Sequence, residues 1–154
     1  MTLESVTRDI ESHLQSLGWF DTGRQHEPLK ILDEYPDDKD EVDVNSMAFS
    51  MGDSSSVPTE LGSQAETVLI PIFVDFFAEN DGLGRHVIGD IYQHVQTTKT
   101  FDVYDYDQAT PTVDFMVAVR EEVTEIRKAE RAVNPWQRHW YVCAFLVEDE
   151  RLNQ

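Results

Sequence analysis

The chain has 154 residues, about one domain, which is long enough to bury a core of its own. Its 30 Asp and Glu outweigh 12 Lys and Arg for a formal charge of −18, which argues against a direct grip on nucleic-acid phosphates. Cys143 is the only cysteine, so an intrachain disulfide and a cysteine-built zinc cluster are excluded.

Met1-Thr-Leu-Glu-Ser has no basic segment and no apolar stretch, so no secretory leader is expected and synthesis should end in the cytosol. Thr2 is placed to cap a first helix in which Leu3, Val6, Ile10, Leu14 and Leu17 recur at helical spacing, and Gly18 falls where a helix stops. Trp19 and Phe20 follow at once and should tuck the chain onto its own core.

From Asp33 to Asp43 there are seven acids and one lysine, a loop composition. The central Gly and terminal Glu of an EF-hand are missing, so it reads as a solvated acidic loop and not a calcium site. Next, Val42, Val44, Ser46 and Ala48 alternate with Met47, Phe49 and Met51, a strand that should end at Gly52-Asp53. Residues 53–65, rich in Ser and holding Pro58, should form a flexible connector.

The most apolar run is Thr67-Val-Leu-Ile-Pro-Ile-Phe-Val-Asp-Phe-Phe77. It is too short for a bilayer span and holds Pro71 and Asp75, so it reads as a strand. Val68, Ile70, Ile72, Val74 and Phe76 share one face, and Leu69, Phe73 and Phe77 share the other. Both faces therefore need cover. One cover is the helix announced by Asn80-Asp81-Gly82, whose Leu83, Val87, Ile91 and Val95 lie four apart with Ile88 beside them. The second must come from this chain or from another copy of it.

Thr100–Tyr106 should be a strand, and Asp107-Gln-Ala-Thr-Pro111 a turn. Val113, Phe115, Val117 and Val119 then alternate until Glu121 breaks the pattern, while Val119, Val123, Ile126 and Val133 also fit helical spacing. Asn134-Pro135 interrupts, and Trp136–Glu148 is a last strand, apolar on both faces. A hairpin over about 113–148, at roughly 3.3 Å per residue, would reach on the order of 40 Å and project as an arm. The whole is expected to be one α+β domain, 1–154: a mostly antiparallel sheet of four to five strands, two helices packed on one face, and a long C-terminal β-hairpin.

Chemistry is hard to find. Gly82-Leu-Gly84 lacks the rest of a phosphate loop, and no nucleophile elbow occurs. His86, Asp90 and His94 lie four apart, where two imidazoles and a carboxylate can hold a transition metal, but beside Val87 and Ile91 they read instead as the wet side of an amphipathic helix. His139 and Cys143 would sit ~13 Å apart along a strand, too far for a base and its nucleophile. Glu125-Ile-Arg127-Lys128 does not supply the Glu-x-Lys of a carboxylate-and-lysine nuclease. No enzyme, cofactor or metal is expected.

The element order resembles a known family. It consists of an amphipathic helix closing on Leu17-Gly18-Trp19, then Val44-Asn45-Ser46-Met47-Ala48-Phe49, a Ser/Pro loop, and the strand Glu66–Phe77 running into Ala78-Glu79-Asn80. A helix with Ile88-Gly-Asp-Ile91 follows, then a hairpin ending Trp140-Tyr-Val-Cys-Ala-Phe-Leu-Val147. This looks like a tail terminator of long-tailed, siphovirus-like bacteriophages, and the likeness lies in order and apolar pattern, not in a signature motif.

The resemblance implies an α+β subunit of a ring, commonly hexameric, at the head-proximal end of the tail tube. The ring stops tube growth and offers the surface that joins the head. It also implies a virion protein made in the host cytoplasm, without a membrane role. Its partners would be further copies, the tail tube protein and a head-completion or neck protein, with DNA passing through without specific binding. On that likeness Asp37, Asp38, Asp40 and Glu41 are candidate channel-facing acids, since like charge within about 8–10 Å repels the DNA backbone. Arg127, Lys128, Arg131, Trp136 and Trp140 are candidate subunit contacts. Two rivals stand beside it: another head-to-tail joining protein, and an acidic inhibitor that mimics DNA.

Overall fold

A computed structural model of the chain describes residues 2–34, 45–53, 55–58, 66–98, 100–105, 112–128 and 139–149. The expected acidic loop with Asp37, Asp38, Asp40 and Glu41, the turn at 107–111, and Arg131, Asn134-Pro135 and Trp136 lie outside the described residues.

Helix α1 spans Thr2–Ser16 and buries Val6, Ile10 and Leu14 completely. Its end is closed as the glycine implies. Gly18 sits at φ 78, its N–H donates to the Gln15 carbonyl at 2.9 Å, and the Trp19 N–H donates to the Leu14 carbonyl at 3.2 Å. This pair of bonds is the Schellman closure. Because the helix ends at Ser16, Leu17 leaves the expected stripe and is 40% exposed. Trp19 and Phe20 do pack against the core.

Seven strands form one sheet, with β1 at Lys30–Ile31, β2 at Ser46–Met51, β3 at Ser55–Pro58, β4 at Glu66–Phe77, β5 at Thr100–Asp105, β6 at Thr112–Lys128 and β7 at Trp140–Asp149. The order is β1-β2-β4-β7-β6-β5, with β3 also on β4. Every pairing is antiparallel except β1 with β2. Helix α2, Asp81–Thr98, starts from Asn80, whose Oδ1 accepts the Leu83 N–H at 2.8 Å. Both helices contribute to one apolar cluster with Ile70, Ile72, Val74 and Phe76 of β4 and Tyr141, Cys143, Phe145 and Val147 of β7. The two-helix, one-face α+β plan expected from the sequence is the plan observed. Since α1 lies against both β2 and β5, near opposite edges, the sheet curls round its helices.

Four expectations are corrected. The strand expected to run from Val42 is broken at Asn45 and β2 begins at Ser46, while Val42 and Val44 lie outside the described residues. Asn45 adopts φ 59, which extended backbone does not tolerate, and is wholly buried. Its side chain donates to the Glu27 carbonyl at 2.7 Å and accepts the Glu79 N–H at 3.1 Å, while its main chain pairs with Lys30 and Phe77. One residue thus ties β1, β2 and the end of β4 together.

Secondly, the connector at 53–65 contains β3. Met51 pairs with Ile72 and Ser55 with Leu69, so β2 and β3 meet β4 as two ladders with Ile70 and Pro71 between them. Pro71 explains where the ladders part. The Gly52 N–H donates to the Pro71 carbonyl at 2.9 Å, so Pro71 turns its backbone polar side toward this edge. Its missing N–H therefore falls just past the end of the β2 ladder, before the β3 ladder begins. A Cβ at Gly52 would lie 2.8 Å from the proline ring, so the glycine is required as well.

The third correction concerns β6. Arg120 pairs with Leu146 but Glu125 with Ala144, leaving 121–124 opposite Phe145 alone. Val119 and Ile126 are an odd number of residues apart, yet stand opposite Val147 and Cys143, which share the helix-facing side of β7. The break at Glu121, which invited a helical alternative, is this irregularity within a strand.

Finally, β7 does not belong to a projecting arm. It pairs with β4 along its whole length, from Phe77 opposite Trp140 to Val68 opposite Asp149. A strand apolar on both faces is a central strand, and it occupies the middle of the sheet.

Candidate functional site

On the face of the sheet away from the helices, Phe77 is fully buried and Asp75 only 4% exposed. Trp140 bridges them. Its Nε1–H donates to Asp75 Oδ2 at 2.8 Å, and its ring stacks on Phe77 at 5.5 Å between centroids and 26° between planes. A buried carboxylate is costly unless hydrogen-bonded, and the indole supplies that bond. Ala48, Val142 and Ala144 beside them are also buried. The centre of the second face is thus already covered within one copy. Its partly open rim consists of Leu69, Pro71, Phe73 and Leu146.

These facts bear on the candidate subunit contacts. Trp140 is half-buried and held by Asp75 and Phe77. Arg127 and Lys128 occupy β6 positions opposite Val142 and Tyr141, at the end of the sheet where β7 begins. Both are paired with β7, and Lys128 is the last residue of β6. Arg131 and Trp136 lie outside the described residues.

The helices meet along a polar seam. Asp9 and His13 on α1, and Asp90 and His94 on α2, repeat one spacing of four residues, so each pair faces the other helix. His94 Nε2 lies 2.5 Å from Asp9 Oδ2, and the His13 ring stacks on that of His94 at 4.0 Å and 13°. The Trp19 Nε1–H donates to Asp90 Oδ2 at 3.0 Å. His86 meets Trp19 edge-on at 5.7 Å, His26 lies on it at 5.3 Å, and the Arg24 guanidinium stands 5.9 Å from the ring centre.

The residues weighed as a metal set therefore have separate partners: Trp19 for His86 and Asp90, Asp9 and His13 for His94. No group of three or more His, Cys, Asp or Glu among the described residues is arranged to hold a metal ion. Asp9 and His13 were missed by reading α2 alone, and the shared Asp-x-x-x-His spacing on α1 was the signal. Cys143 is fully buried, and burial pushes its thiol up to about 12, so it is a packing residue with no thiolate to react.

A groove of about 320 Å³ runs between α1 and the β1 edge, lined by Leu3, Thr7, Ile31 and Phe49 with Glu4 and Arg8 at its rim. At the start of α2, the Tyr141 hydroxyl donates to Asp81, which also pairs with Arg85 at 3.0 Å. Gly84 lets that tyrosine in, because a Cβ there would land on its ring. Among the described residues no helix is long and apolar enough to cross a membrane. No protein-family model matches the chain, and no curated protein is found similar to it.

Proposed function

We propose that the chain is a tail terminator, a structural subunit that closes into a ring at the head-proximal end of a phage tail tube, halts tube growth and presents the surface that joins the head. One observation carries this reading: the helix, strand pair, helix and antiparallel β5-β6-β7 series fold into one curled sheet with both helices on a single face. That is the α+β plan the element order implied. Neighbouring copies would meet at the rim of the second face and at the sheet edges, because Phe77, Val142 and Ala144 are already covered within one copy. The proposed contact set thus shifts from a greasy sheet centre to Leu69, Phe73 and Leu146, with Arg127 and Lys128 at the end of β6.

The surplus of acid supports an inert wall for passing DNA, since like charges repel within about a Debye length. The test mixes purified protein with tail tubes that lack a finished end, and separately with tailless heads, and follows attachment by electron microscopy. Attachment at the tube end is expected. Binding to heads alone would reassign the chain to another neck role, and binding to neither, with no copy in the virion neck, would overturn the proposal.

A further inference from the structure

The α1–α2 seam carries a polar cluster beside the apolar core, and both helices commit an Asp and a His to it. We propose that His13 and His94 form a pH-sensitive latch between the two helices, closed when His13 is neutral and loosened when it takes a proton. The stacked geometry is the reason. A neutral imidazole lies comfortably on its neighbour at 4.0 Å, whereas a second positive charge on the stack would meet any charge on His94 at van der Waals distance.

His94 is already engaged by Asp9 at 2.5 Å, and the Thr98 hydroxyl lies 3.3 Å from its Nε2. Asp9 therefore cannot be turned wholly to His13, and Asp90 accepts the Trp19 indole N–H. Beyond the seam, His26 and His86 flank Trp19, with Arg24 also beside it. Of the strands against α1, β2 carries no titratable side chain, and β5 contains Asp102, Tyr104 and Asp105. Burial, with help from His94, lowers the His13 imidazole below its ordinary value, and Asp90 and Asp9 pull the other way without reversing it.

The sign follows. A histidine whose folded pKa is depressed binds fewer protons folded than unfolded, so its contribution to stability is complete above the unfolded value of about 6.5 and is lost as pH falls through and below it. The overall acidity works in the opposite direction, because protonating carboxylates relieves self-repulsion, so the latch must be read as a difference and not from one curve.

Two measurements on the full chain test it. NMR titration of the histidine rings should find His13 protonating below the ordinary histidine range. Amide exchange, corrected for its intrinsic pH dependence, should show residues 2–16 losing at least about threefold more protection than α2 between about pH 8 and pH 5.5. His13→Phe, which keeps a ring on the stack but cannot take a proton, should remove that difference. Parallel loss in both helices, or an unchanged difference in His13→Phe, would overturn the latch. An ordinary or raised His13 titration would overturn it without any variant. None of these outcomes depends on whether the chain closes a phage tail.

Discussion

The two contacts made by α2 differ in kind. Toward the sheet it presents Val87, Ile88, Ile91 and Val95, all fully buried against β4 and β7, whereas toward α1 it presents a seam of carboxylates and imidazoles. The first contact is stabilised by removing apolar surface from water, at about 25 cal/mol per Å², and has little dependence on pH. The second is part-exposed, with side-chain exposures of 18% for His94 and 40% for Asp9, so water and salt discount it. One helix thus has a side that fixes the fold and a side whose strength the solvent sets.

Cutting into the dry contact should do the most damage. Phe76→Ala removes a fully buried ring between the helices and the sheet and is expected to cost about 3–5 kcal/mol, read as a lower urea midpoint at unchanged slope. Asn45→Ala should come next, at roughly 2–4 kcal/mol. It strands the Glu27 carbonyl and the Glu79 N–H and leaves an alanine at φ 59, and thermal unfolding should show the loss while the sheet signal in circular dichroism persists.

Gly84→Ala tests the same dry contact from the helix side. Alanine favours the helix by up to about 1 kcal/mol, but its Cβ would strike the buried Tyr141 ring, so a net loss of about 1–2 kcal/mol is expected. A gain in stability from this change would mean that Tyr141 is free to move aside. In the wet seam, Asp9→Asn should cost less than about 1 kcal/mol, and the cost should shrink further at high salt. If it rivalled Phe76→Ala, the division between the two contacts would be wrong.

Much of the fold was legible because periodicity is a direct record of burial. The stripe of α1 as far as Leu14, the stripe of α2, the cap at Asn80, the stop at Gly18, and the alternate faces of β4 and β7 appear where spacing placed them. What escaped was structure set by single residues or by distant pairing. Asn45 looks like any polar residue in a strand until its left-handed backbone is seen. A two-residue strand such as β1 has no periodicity to read. The position of β7 was written in its two apolar faces, but treating it as the partner of β6 alone turned a central strand into an arm. For the candidate site, the spacing on α2 was seen and its match on α1 was not, because the link runs through space over 85 residues of sequence.

Pro71 has a consequence for folding. A long apolar strand with similar residues on both faces is free, on hydrophobic grounds, to slide against its partners by two residues at little loss. Pro71 forbids this, because any other alignment of that edge would set its donorless nitrogen against a carbonyl in the regular ladder. With Gly52 beside it, the ring acts as a peg on the edge shared with β2 and β3, so misaligned pairings along that edge are penalised from the start.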